Sequence, residues 1–313
     1  RARTPGRPTL RTRSGPIGYK LGMELPEESG ETVAAEAVGP PSGAEARALV
    51  ESVPLWYHVL ELGPDLVTPG WFDLRPIVEL LPWPDVRGKR CLDVGPWDGF
   101  LSFELERRGA AEVVAVDIGD VADWDWPLRN RRSGPLAVSG GGETTTGRGF
   151  EVAKRLLDSK VERRVLSVYE LGPDAVGTFD VVVCGSLLLH LKNPIGALEA
   201  IRSVCTEAFL SAEQIDPILA IAHRRAPAAR QRGGEKGQWW IPNPRGHAEM
   251  VAAAGFEIER TTRPYAIPLS PSHADARPGK LRRRLGLLPG RLLTRGSGMP
   301  HAALLARPGK VEE

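Results

Sequence analysis

The sequence predicts a mixed α/β fold, a mostly parallel sheet with helices on both faces, and three observations predict it. After Gly88, short apolar runs bounded by turn residues alternate with longer runs of helical period, which is the rhythm of repeated βαβ units. The first of these strands runs into a glycine-bearing loop, Gly95-Pro96-Trp97-Asp98-Gly99, followed directly by an apolar helix. The second ends in a carboxylate, Asp117. Right-handed crossovers bring all the strand C-termini to one rim, where open α/β sheets bind ligands.

Residues 1–43 mix Arg, Pro, Gly, Thr and later Glu without periodicity, and are expected to form a disordered tail. Their Arg-rich start is soon followed by Glu24, Glu27, Glu28 and Glu31, and no apolar signal region appears, so the expected location is cytoplasmic. Residues 44–88 read as an N-terminal cap: a helix-like run at Ala46, Leu49, Val50 and Val53, then Trp56-Tyr57-His58, a turn at Gly63-Pro64-Asp65, and Trp71-Phe72-Asp73. Residues 89–265 read as the core. Strands are expected over 91–94, 113–117, 165–168, 179–184, 208–211 and 256–260, and helices over 101–108, 150–157 and 194–204. Residues 266–313 form a basic extension carrying a last strand, 302–306. That strand would complete a seven-stranded sheet if it inserts antiparallel.

The stretch 123–148 is expected to be a long polar loop, flexible over 131–148, with Gly140-Gly141-Gly142 near its middle. Trp124 and Trp126 at its start are expected to pack or to cover a ligand. Apolar residues make up 42% of the chain, enough for a sizeable core, and the net charge is only +2. No apolar stretch approaches the roughly 20 residues that cross a bilayer. Cys91, Cys184 and Cys205 lie inside apolar patterns with no C-x-x-C spacing, which points to buried thiols and away from a disulfide or a metal site.

The loop after the first strand carries the ligand chemistry. Gly95 and Gly99 permit a sharp turn and close backbone approach. A dinucleotide fingerprint would need glycine at positions 97 and 100, where Trp97 and Phe100 stand, so a pyrophosphate cradle, and with it an NAD enzyme, is the weakest reading. Asp93 and Asp98 would repel phosphate but suit an ammonium, and Asp117 can accept both hydroxyls of a ribose. S-adenosylmethionine (SAM) has both features. Ile118 is expected against the adenine face, Ser167, Val168 and Tyr169 along its edge, and Gly185 and Ser186 beside the cofactor after the fourth strand.

On the acceptor side, His190 follows the fourth strand and Glu213 the fifth, each placed as a candidate base, with Gln214 and Asp216 near the same rim. His190 could equally bond a neighbouring loop. Trp239 and Trp240, before a helix capped by Asn243, either wall an acceptor pocket or pack that helix on the core. Trp56, His58, Trp71 and Trp124 complete the expected substrate set. Two basic clusters, Arg224, Arg225, Arg230, Arg232 and Lys236, then Lys280, Arg282, Arg283, Arg284, Arg291 and Arg295, suit either RNA phosphates or a solvated face.

Three segments, 63–73, 92–100 and 179–194, resemble the bacterial tRNA wobble-uridine methyltransferase and carboxymethyltransferase group, a branch of the class I SAM-dependent methyltransferases. The resemblance covers about 50–310, and implies the seven-stranded Rossmann-like sheet and methyl or carboxymethyl transfer in tRNA. Carboxymethylating members hold the extra carboxylate of carboxy-SAM with a Lys, a Tyr and an Arg. Here the matching places read Trp56-Tyr57-His58, Leu189 and His301. An added carboxylate would lose all three partners, and burying it unpaired costs several kcal/mol. The resemblance therefore implies ordinary SAM and methyl transfer. The acceptor is expected to be a small hydroxylated metabolite or a modified tRNA uridine. A carboxymethyltransferase and a SAM- or RNA-binding module without chemistry remain as alternatives.

Overall fold

Ser42 starts the first helix: its hydroxyl accepts from the Glu45 N–H while the Glu45 carboxylate accepts from the Ser42 N–H, a reciprocal cap. In the computed structural model, which describes residues 41–138, 144–235, 237–273 and 288–310, this helix is α1 (Gly43–Glu51). Residues 1–40 of the expected tail, Gly140-Gly141-Gly142 and the cations at 236, 280 and 282–284 lie outside the described residues, while Ser42 and Gly43, expected in the tail, cap and begin α1. A small hairpin, β1 (Glu61–Gly63) and β2 (Leu66–Val67), follows.

Then comes the alternating core: β3 (Arg90–Val94), α2 (Phe100–Arg107), β4 (Glu112–Asp117), α3 (Ser133–Val138), α4 (Arg148–Leu156), β5 (Glu162–Val165), α5 (Pro173–Val176), β6 (Phe179–Gly185), α6 (Pro194–Val204) and β7 (Cys205–Gln214). Next are α7 (Pro217–Ala222), a hairpin of β8 (Ala229–Glu235) and β9 (Gln238–Pro242), α8 (Pro244–Ala253), β10 (Phe256–Thr261), β11 (Tyr265–Ile267), α9 (Leu288–Thr294) and β12 (Met299–Pro308).

The main sheet runs β10-β12-β7-β6-β3-β4-β5, with β11 also paired to β12. Strands β7, β6, β3, β4 and β5 are parallel, and β12 inserts antiparallel between β7 and β10. The fold is the Rossmann-like α/β sheet that the strand rhythm predicts, enlarged by the short β11. Alternation splits the core by face. Cys91, Val181 and Val183 join one cluster, and Leu92, Val182 and Cys184 the other, as a strand's period of two requires. All three cysteines are buried and free. No helix among the described residues is long and apolar enough to cross a membrane.

The cap shares the first of these clusters. Val50, Val53 and Trp56 pack with Phe100, Phe150 and Leu210. Trp56 is 2% exposed and its indole N–H donates to the Val50 carbonyl at 3.0 Å. It is a core residue, which corrects its expected place in a substrate pocket.

Two elements differ from the sequence pattern. The strand expected over 165–168 lies at Glu162–Val165 instead. Ser167 accepts from the Tyr169 N–H, Glu170 accepts from the Ser167 N–H, and the chain turns. That cap ends the strand where apolar character alone would extend it. Within 123–148 the chain forms the helix α3, and Asp120 bridges Thr145, so the described part of this segment is built structure.

Candidate active site

At the C-terminal rim, β3 leaves the sheet through a loop whose backbone is left-handed at Gly95 (φ 75°), Trp97 (φ 53°) and Gly99 (φ 91°). The Gly95 N–H donates to the Val116 carbonyl at 2.9 Å. Asp117, at the end of β4, accepts from the Trp97 N–H at 3.1 Å and from the Ile118 N–H at 2.8 Å. These bonds tie the loop to the carboxylate and leave further lone pairs of Asp117 open to the cavity it lines. Burial pushes its pKa up to about 6, against the pull of those N–H donors. A left-handed non-glycine such as Trp97 is uncommon and gathers at functional sites.

The cavity beside this loop measures about 980 Å³. Gly95, Trp97, Asp117, Ile118, Ser167, Val168 and Tyr169 line its cofactor half, and Gly185 and Ser186 line the floor at the end of β6. The Tyr169 hydroxyl donates to Asp125 at 2.7 Å and accepts from the Asn193 N–H at 3.2 Å, fixing the ring at the cavity edge. Beneath the floor an inner cavity of about 50 Å³ reaches Asp93, Tyr265 and His301. Asp93 accepts from the Ser102 hydroxyl at 2.6 Å, and burial raises its pKa to about 7.

Two expected cofactor contacts do other work. Asp98 is buried and accepts from the Tyr57 and His58 N–H groups at 2.7 and 3.0 Å; it also pairs with the His58 ring. It clamps the cap to the loop and does not line the cavity. Gly99 also stays behind the wall: a Cβ there would come within 2.6 Å of Phe103 and 2.8 Å of Phe150. Its glycine is required by packing and by φ.

The other half of the cavity is aromatic. Trp71, Trp124 and Trp126 line it with Tyr57, Phe72 and His58, and Trp97, whose N–H donates to Asp117, borders both halves. Trp124 stacks on Trp126 at 5.6 Å, meets Trp97 edge-on at 5.9 Å and lies 5.4 Å from His190. His190 lines the cavity, and its Nδ1 lies 2.9 Å from the Gly237 carbonyl. A carbonyl only accepts, so Nδ1 carries the proton and Nε2 is the free acceptor in the neutral ring. Burial lowers its pKa.

The remaining acceptor candidates are corrected by strand alternation and by the hairpin. Glu213 is 1% exposed and faces away from the cavity. Its Oε1 accepts from the Leu187 and Leu188 N–H groups at 3.2 Å each, bracing the turn that leads to His190. Burial raises its pKa to about 8. Gln214, one residue on, takes the opposite face and lines the cavity. Asp216 caps α7 and pairs with Arg230. Trp239 and Trp240 stand outside the wall: their indole N–H groups donate to the Asp125 carbonyl (2.6 Å) and the Lys192 carbonyl (3.1 Å). They fasten the β8–β9 hairpin over the site, while its Arg232, Gln238 and Ile241 line the cavity. Sequence reading missed that hairpin, whose signal is Gly233-Gly234 and Gly237 between two extended runs. It also missed Tyr57, Phe72, Tyr265, His273 and Met299, which reach the site from distant segments.

A carboxylate, a serine and aromatic faces at the strand ends fit a nucleoside with a ribose diol and a cationic centre, and would repel a pyrophosphate. Fold and site together define a Rossmann-like enzyme of nucleoside cofactors. A family model described as a methyltransferase domain matches residues 72–261, more than half of the chain. The chain belongs to this methyltransferase-domain family. A ubiquinone biosynthesis O-methyltransferase of Acinetobacter baumannii is 29% identical over 147 residues, covering 43% of this chain and 52% of the relative. The enzyme of the same description from Azotobacter vinelandii is 29% identical over 146 residues, covering 43% and 52%. The chain thus spans about half the length of the curated relatives it matches. Among solved structures, a 1,6-didemethyltoxoflavin-N1-methyltransferase of Burkholderia thailandensis aligns with 16% identity, a TM-score of 0.45, and 76% and 78% coverage.

Proposed function

We propose that this enzyme transfers the SAM methyl group to a hydroxyl of a small planar, phenol-like molecule. The observation that carries the reading is the single continuous cavity of about 980 Å³, half carboxylate-edged and half walled by Trp71, Trp97, Trp124 and Trp126. That volume lies at the upper end of small-molecule sites, roughly 300–1,000 Å³, and has room for a cofactor and a flat acceptor side by side. The named activity of the relatives, an O-methyl transfer in ubiquinone biosynthesis, supports the same class of acceptor.

SAM supplies a methyl group on a sulfonium, open to in-line attack. In this reading Asp117 accepts the ribose hydroxyls, Ile118 and Tyr169 flank the adenine, the Gly95 backbone borders the methionyl part, and Trp124 and Trp71 hold the acceptor plane. Trp124, the His190 ring and the hairpin above them exclude water. Leu189 and a buried His301 stand where the resemblance would place the tyrosine and the arginine that hold an added carboxylate, which supports SAM over carboxy-SAM.

The test is mass-spectrometric detection of methylated product from SAM with catechol and related phenols, with a tRNA transcript bearing 5-hydroxyuridine, and with carboxy-SAM in place of SAM. Methylated phenol supports the proposal. Product only on tRNA, transfer of a carboxymethyl group, or SAM binding with no transfer to any acceptor would each overturn it. The tRNA reading has the weaker support: of that cluster, Arg230 is paired to Asp216 and Arg232 lines the cavity, so two of its cations are engaged away from a basic face.

A further inference from the structure

Ser186 is one of few non-glycine residues with a left-handed backbone (φ 52°) among those described. It sits directly after β6, in the wall shared by the main and inner cavities, and its Oγ lies 2.9 Å from His301 Nε2. The other nitrogen of that ring, Nδ1, lies 2.9 Å from the Met299 carbonyl. A carbonyl cannot donate, so Nδ1 carries the proton, Nε2 of the neutral ring is bare, and the Ser186 hydroxyl must donate to it. The serine's proton is thereby turned away from the main cavity and its oxygen lone pairs face it. Strained backbone at a strand end that aims a side chain in this way is characteristic of reacting sites.

We propose that Ser186 and His301 form the proton relay for the transferred methyl group, Ser186 Oγ receiving the acceptor hydroxyl's proton as its own passes to His301 Nε2. The inference rests on O-methylation as the reaction. As the acceptor oxygen bonds the methyl carbon, the carbon–sulfur electron pair stays on sulfur. The relay removes the proton that the acceptor sheds and leaves His301 as an imidazolium, so atoms and charge balance. Burial holds the His301 pKa down to about 4, which keeps the ring neutral and ready at physiological pH. A weak base suffices, because an oxygen that has gained a methyl group is a far stronger acid than an imidazolium. Asp93, His58, Tyr57 and Tyr265 face the same inner cavity, as does Gln214, which pairs with His301 across β7; Glu213, opposite Ala302, is on the other face of the sheet, and a charge on His301 would lower the pKa of the buried His247. The Tyr265 hydroxyl is buried with no partner among the described residues.

Two measurements test the relay. Nitrogen-15 NMR of the full chain, with S-adenosylhomocysteine added, reads the His301 tautomer with no acceptor needed. A bare Nε2 that shifts in S186A is expected, whereas an Nε2–H signal would overturn the relay whatever the acceptor proves to be. With catechol and nitrocatechol as probes, S186A and H301Q are expected to lower kcat for catechol by about a hundredfold or more. They should lower it less than tenfold for nitrocatechol, which ionises without help. Equal losses on both probes, or the same pattern in H190Q and not in H301Q, would overturn it. Failure of wild type to methylate either probe counts against the proposed function, and the tautomer then decides the relay.

Discussion

In the proposed reading Asp117 faces two demands at once, since it holds the β3 loop through the Trp97 and Ile118 N–H groups and would still have to accept from a ribose. Asp117→Ala should weaken SAM binding by about 1.5–3 kcal/mol, the range for hydrogen bonds to a charged group, as read by calorimetry. Unchanged affinity would remove Asp117 from the cofactor contacts. Binding needs the ionised form, and burial has raised the pKa to about 6. The dissociation constant should therefore rise as pH falls through about 6, approaching tenfold per pH unit. Glu213 has its consequence in stability. Its ordinary value is 4.5 and burial raises it to about 8, so in that window the folded chain keeps a proton that the unfolded chain has lost. Stability from this group is full below about 4.5 and declines as pH climbs to about 8. Glu213→Gln should flatten the melting temperature across that window, with the remaining slope due to Asp93 and Asp117, whose values are raised in the same direction. An unchanged slope would show that Glu213 is ionised in the folded protein.

At the scale of elements, the turn into α2 and the entry to α8 are the most exacting. Gly99 combines a φ of 91° with ring atoms of Phe103 and Phe150 on the side a Cβ would occupy. Gly99→Ala should cost about 1–3 kcal/mol from backbone strain, with overpacking added, measured by urea unfolding. Asn243 is 1% exposed; its Oδ1 accepts from the Gly246 N–H at 2.7 Å and from the Ala228 N–H at 3.1 Å, and its amide donates to the His223 and Ala226 carbonyls. Asn243→Ala removes a cap and strands buried backbone groups, so a loss of about 2 kcal/mol or more is expected in the same assay. Capping chemistry made α6 readable to its ends, because Asn193-Pro194 is an explicit start signal. Strand β5 was misplaced for the opposite reason: Glu162-Arg163-Arg164-Val165 is polar, and only its pairing with β4 makes it a strand.

For the whole molecule, the last strand decides whether the sheet closes. β12 separates β7 from β10 and also carries β11, and its Ala303, Leu304 and Leu305 are buried. Ending the chain before Met299 would leave β10 and β11 without their partner and remove His301 from the inner cavity. Such a truncation should lose cooperative thermal unfolding, as read by circular dichroism.

What the sequence determined by itself was local and periodic. Apolar alternation set the strands, Gly95 and Gly99 set the loop, and the carboxylate at the end of β4 set the rim where a nucleoside could bind. Those signals survive in one dimension because backbone conformation and strand period depend on near neighbours. The acceptor side was decided only in three dimensions. Whether Glu213 or Gln214 faces the cavity depends on the register of β7 against β6 and β12, and a shift of one residue exchanges them. Trp56 entered the core, Trp239 and Trp240 moved behind the hairpin, and Ser186 met His301 across 115 residues. Such meetings are fixed by which surfaces must leave water and which buried polar groups must find partners, and that balance exists only once the sheet has assembled.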